Sequence, residues 1–186
     1  MPGYGFVPGC HAFGLEEAGD LANAERAGLR AVEHEPRDAS GLHAVSHVYE
    51  MDGRVTAGIA LLGSARPMWR QCHNFSYHMA WHLALFHLSR GRADLALAVY
   101  DADVRPVATG DFRDIANAVS LLWRLKQEDA DTGSRRHELE QLARRRATGT
   151  TLVFASLHHL LTLLACGDPA AARGLVASIE RRKSWA

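Results

Sequence analysis

The chain predicts an all-α fold: a right-handed superhelix of about five antiparallel helical hairpins in a single domain spanning residues 1–186. Three observations carry that expectation. Apolar residues recur at helical spacing in segment after segment. Patterns that alternate apolar and polar residues, as strands require, are nearly absent. Short turns containing glycine return at positions 19, 53, 91 and 167, each between two segments of helical periodicity.

The first pair joins residues 4–18 to the run from Leu21 to Val32, where apolar residues fall at 21, 24, 28/29 and 32. Gly19 can close one helix in a left-handed cap, and Pro36 stops the next. The second pair joins 39–52 to a helix from Val55 to Leu62 that ends by Pro67, across Met51-Asp52-Gly53-Arg54. The third joins 74–90 to a helix from Ala93 to Tyr100 that ends by Pro106, across Ser89-Arg90-Gly91-Arg92. The fourth runs from 111–127 through a polar break at Glu128–Ser134 to Arg135–Arg146. The fifth pairs 151–166, with Thr150–Phe154 read as a helix start, with Pro169–Arg182 across Cys166-Gly167-Asp168. The first glycine interval is 34 residues and the second 38; 34 is the tetratricopeptide period, and the last gap of 76 leaves room for two units.

Two motifs stand out on these helices. His43-Ala-Val-Ser-His47-Val-Tyr-Glu50 and His78-Met-Ala-Trp81-His82 each place two histidines four apart. Four helical residues turn about 400°, so each imidazole pair stands about 40° apart on one face, and Glu50 returns to the His43 face within about 20°. In a tetratricopeptide-like stack the first helix of each pair lines the concave surface. Here those helices carry His11, then His43, His47 and Glu50, then His78, Trp81 and His82, then Trp123, then His158 and His159.

Composition narrows the partners. Lys plus Arg equals Asp plus Glu at 21 each, so no net field argues for nucleic acid or an anionic membrane. The basic runs Arg144–Arg146 and Arg181–Lys183 read as solvated helix ends, where cations are favoured. The longest apolar stretch, Leu157–Cys166, holds two histidines and is too short to span a bilayer. Three dispersed cysteines, Cys10, Cys72 and Cys166, fit a reducing compartment rather than a disulfide framework, and the N-terminus lacks the pattern of a signal peptide. Both point to a cytoplasmic protein. Eleven histidines predict acid sensitivity, because they gain charge below about pH 6.5.

The segment from Gly3 to about Pro106 resembles the tetratricopeptide repeat protein 38 family. The matching residues are Ala12–Gly19, His43–Arg54, Trp69, Cys72, His78–Leu88 and Tyr100-Asp101. The resemblance implies an α-helical repeat fold and no established reaction. Family members used for comparison are longer before the equivalent of Gly3. By that comparison this chain begins within the array, as a truncated form or with its first apolar face covered by a partner or second copy; a homo-oligomer is the expectation.

Three chemistries compete for the histidines. HxxxH pairs suit a divalent metal such as zinc, which takes imidazole and carboxylate ligands at about 2.0–2.2 Å. His43, His47, His78 and His82 are the candidate ligands, with Glu50 for a mononuclear site or Asp101 for a dinuclear one; the HExxH arrangement of metalloproteases is absent. Metal-free acid/base catalysis would use His47, Glu50, His82 and Asp101. Ligand binding would use His11, His43, Tyr77, His78 and Trp81, with Trp69 and Phe13 as further aromatic walls. Against all three stands a structural role: histidines bonded to each other, to Tyr49, Tyr77 or Glu50 in a polar inner seam, with aromatics in the core. Cysteine nucleophiles are the weaker option, since Cys10 and Cys72 read as small buried residues.

The leading expectation is a scaffold with a histidine-rich concave groove for a ligand, peptide or partner protein. The alternative is an enzyme using the His/Glu cluster, with or without a metal. An enzyme requires those side chains to converge; a groove tolerates them spread along its length.

Overall fold

Four of the five glycines with left-handed backbone among the described residues stand at helix ends: Gly19 (φ 82°), Gly53 (67°), Gly91 (68°) and Gly167 (72°). Each ends a helix in the same way. The amide of the next residue reaches back to a carbonyl five positions earlier, as in Asp20 N to Leu15 O at 2.9 Å and Arg54 N to Tyr49 O at 2.8 Å. This is the Schellman closure, and only glycine adopts its φ without a steric cost. After the helix that ends at Gln127, Asp129 takes the same role at φ 53°.

The computed structural model describes residues 6–146 and 152–183. Among them all regular structure is helical, with no strand. Thr150 and Thr151, read above as part of a helix start, lie outside the described residues. The chain divides into two compact units, 1–99 and 100–186.

The first unit holds α1 (Val7–Glu17), α2 (Leu21–His34), α3 (Ala39–Met51), α4 (Val55–Ser64), α5 (Arg66–Trp69), α6 (Asn74–Ser89) and α7 (Ala93–Val99). Asp20 caps α2 by accepting from Asn23 N, and Asp38 caps α3 by accepting from the amides of Ser40 and Gly41 at 3.1 Å. α3 is the buried centre of this unit and packs on α1, α2, α4 and α6. Small residues set its depth: Ala12, Ala27 and Ala44 form one core cluster with Phe13 and Leu15 against it. A Cβ on Gly28 would stand 2.6 Å from Val45 Cγ2 and 2.9 Å from the Gly41 carbonyl. α6 packs on α4, α5 and α7 and buries Met79, Leu83, Leu85 and Phe86.

Pro67 does not simply end α4. The helix runs to Ser64, and Pro67 sits in the first turn of the short α5, where its missing N–H has no partner to lose. Trp69, expected to wall a groove, is only 1% exposed, and its indole N–H donates to the Leu62 carbonyl at 2.8 Å. An indole at a helix junction fills the gap that the α4–α5 bend opens, so it is core.

The second unit begins with a π-helical turn, Tyr100–Val104, followed by α8 (Phe112–Gln127), α9 (Arg135–Arg146), α10 (Val153–Ala165) and α11 (Pro169–Lys183). α10 packs on α8, α9 and α11 around Ala143, Leu163, Ala172 and Leu175. Asp111 and Asp168 cap α8 and α11. Arg144, in the first basic run, is held by Glu140 at 2.8 Å and by Asp168, in keeping with a solvated helix end. No helix among the described residues is long and apolar enough to cross a membrane.

Candidate metal centre

The two HxxxH motifs meet. His43 and His47 come from α3, His78 and His82 from α6, and one ligand atom from each of the four lies within 4.8 Å of the others. Three of the nitrogens are closer still: His43 Nε2 is 3.0 Å from His78 Nε2, which is 3.2 Å from His82 Nε2. Four donors placed tetrahedrally at about 2.0–2.1 Å from zinc stand about 3.3 Å apart, so these separations suit a shared ion.

The protons support that geometry. Burial holds His82 well below the usual imidazole range, reinforced by the neighbouring His78 and His47 rings. Its ring is therefore neutral, and the 3.3 Å contact from Nδ1 to Glu50 Oε2 is a hydrogen bond to a carboxylate rather than an ion pair. A carboxylate only accepts, so Nδ1 carries the proton and Nε2 turns a lone pair toward His78. His43 is pushed down to about 2, first by burial and then by His82, His47 and His78. Around His78 Nε2, then, neutral rings crowd a common point that a single N–H can serve only in part. A cation accepts every lone pair there. This His/Glu cluster is geometrically able to chelate a metal ion.

The surrounding shell fixes the rings. Phe13 stacks on His43 with centroids 5.4 Å apart, and Phe75 meets His43 edge-on at 5.3 Å. Trp81 lies nearly parallel to His78, 11° between planes at 5.4 Å, and edge-on to His82 at 4.9 Å. Such apolar packing excludes water and limits ring rotation. One side stays open: a cleft of about 500 Å³ is lined by Glu16, His47, Glu50, Met51, His78, Trp81 and His82.

Two contributors were not anticipated. Glu16 on α1 is buried and places Oε2 3.1 Å from His47 Nδ1, and Phe75 supplies the edge contacts just described. Glu16 lies three residues after Phe13, on the same helical face, which is the one sequence signal that could have found it.

The other expected site residues have surroundings of their own. His11 is exposed on α1, and Tyr77 is half-buried on α6 outside the lining of the cleft. Asp101 belongs to the second unit, where the Arg135 guanidinium holds both of its carboxylate oxygens at 2.7 and 2.5 Å. His158 and His159 are also in that unit, and His159 is 1% exposed. Cys10 is exposed rather than buried. Burial pushes the Cys72 thiol up, which opposes a thiolate nucleophile.

No protein-family model matches this chain and no solved structure matches it, so what the site can do rests on its own geometry.

Proposed function

We propose that the first unit is a divalent-metal centre and that the chain is a metal-dependent enzyme acting on a small molecule in the α3/α6 cleft. The observation that supports this best is the convergence of His43, His78 and His82 through Nε2, with Glu50 fixing the tautomer of His82. His47 stands within the same group as a further donor. Ligands that converge, instead of being spaced along a helix face, favour this reading over an open groove for a peptide or partner protein.

Zinc suits a set dominated by imidazoles. Bound there, it would supply a Lewis acid that polarises a substrate oxygen and lowers the pKa of water, so metal-assisted hydrolysis is the reaction class. His43 anchors the ion from the buried side. Glu50 lines the cleft with a side chain 42% exposed and orients His82 from the Nδ1 side. Trp81 and Met51 give the cleft an apolar wall.

The test is metal content by inductively coupled plasma mass spectrometry on untagged protein purified without chelators. At least one equivalent in the parent and its loss in His78→Gln, with unchanged helical circular dichroism, is the expected result. A metal-free parent that stays metal-free after incubation with zinc and desalting overturns the proposal.

A further inference from the structure

A second group of donors sits beside the first. Glu16, Glu17 and His47 each offer a ligand atom within 4.8 Å of the others. Glu17 is exposed, and an exposed carboxylate alone means little. Glu16 differs: it is 8% exposed, and among the described residues its buried Oε2 has no directed hydrogen bond. The polar atom beside it is His47 Nδ1, at 3.1 Å. Burying a carboxylate oxygen is costly unless something positive answers it. Glu16 is also brought to the cleft wall, next to His47.

We infer that Glu16, Glu17 and His47 hold a second divalent cation beside the one assigned to His43, His78 and His82, which makes the site dinuclear. The inference rests on the metal reading of the histidine cluster. His47 is the hinge of the arrangement. Its ring centroid is 4.2 Å from that of His43 and 4.8 Å from that of His82, while its Nδ1 faces Glu16. The ring thus gives Nδ1 to the second ion, and the first keeps three imidazoles and one position open to the cleft. The two positions differ in chemistry. Three imidazoles select zinc-like ions, whereas two carboxylates and one imidazole also accept harder ions such as Mn²⁺. Bound there, a second ion would add a further Lewis acid to a hydrolytic reaction, with Glu16, Glu17 and His47 as the residues that would hold it. Asp101, the carboxylate expected to complete a dinuclear site, is replaced in this role by Glu16.

The experiment is a Co²⁺ titration of the full chain after removal of metals. Bound cobalt is counted by mass spectrometry after desalting, and the loaded protein is examined by electron paramagnetic resonance. The parent is expected to retain two equivalents, with the isolated high-spin signal weakened by coupling between neighbouring ions. Glu16→Gln/Glu17→Gln is expected to retain one equivalent with an uncoupled signal. Glu17→Gln alone, altering only an exposed side chain, is expected to weaken the second equivalent about tenfold and leave the first unchanged. One equivalent in the parent, or two in the double variant, overturns the second position while leaving the histidine centre standing. No cobalt in the parent overturns both.

Discussion

Glu50 and His82 face each other across the α3/α6 contact, with Oε2 3.3 Å from Nδ1, while the opposite nitrogen of the same ring stands 3.2 Å from His78 Nε2. The carboxylate decides which nitrogen of His82 carries the proton and so which one can bind a cation. Carboxylates in this position raise ligand basicity and fix ring orientation, and their loss commonly costs 10–100-fold in metal affinity. Glu50→Gln is therefore expected to weaken zinc binding by about 10–100-fold in competition with a chromophoric chelator. Glu50 is partly exposed, so the fold should be unaffected. Unchanged affinity would reduce Glu50 to a surface residue.

The helix that carries half of the ligands owes its position to a glycine. A methyl on Gly28 would overlap Val45 Cγ2 and the Gly41 carbonyl, so α2 would have to move off α3. Ala is the better helix former by about 1 kcal/mol, but overpacking against backbone costs about 1–3 kcal/mol. Gly28→Ala is expected to lower stability in urea unfolding and to weaken metal retention along with it, because Val45 lies between His43 and His47. An increase in stability would show that α2 and α3 separate freely.

Much of this was legible in the sequence. The glycine turns at 19, 53, 91 and 167 bracket helices within a few residues of those expected, because the Schellman closure is local chemistry. The pairing of His43 with His47 and of His78 with His82 follows from helical spacing alone. That the two pairs meet does not: it depends on how α3 and α6 pack, which no local pattern in either helix states. Glu16 was overlooked for the same reason, since α1 reaches His47 only through tertiary packing. Trp69 was misassigned because residue type does not reveal a side chain's destination: it fills a helix junction.

His73 begins α6 with φ 47° and ψ −135° and no side-chain cap. A residue with a Cβ is strained there by about 1–3 kcal/mol, and glycine is not. His73 is exposed, so its side chain contributes little packing. His73→Gly is expected to stabilise the chain by about 1 kcal/mol, read as a higher urea midpoint at constant slope. Destabilisation would instead show that the imidazole restrains the start of the site helix.

In the second unit, His159 is buried on α10, and among the described residues neither ring nitrogen has a hydrogen-bond partner. Burial lowers its pKa from the ordinary 6.5, assisted by Arg146 and His158. The sign of the linkage follows. Below the unfolded value the unfolded chain takes up a proton that the folded chain refuses, so stability is complete above about pH 6.5 and is lost as pH falls. His159→Leu removes both this penalty and two unanswered polar atoms, at similar volume. It is expected to raise stability by about 1–2 kcal/mol at neutral pH. The gain over the parent should widen as the medium is acidified to about pH 5.5. Urea unfolding of both proteins at the two pH values measures the difference directly, and subtracting the variant from the parent cancels contributions from the other histidines. A gain that shrinks on acidification would mean that the His159 ring is protonated in the folded chain.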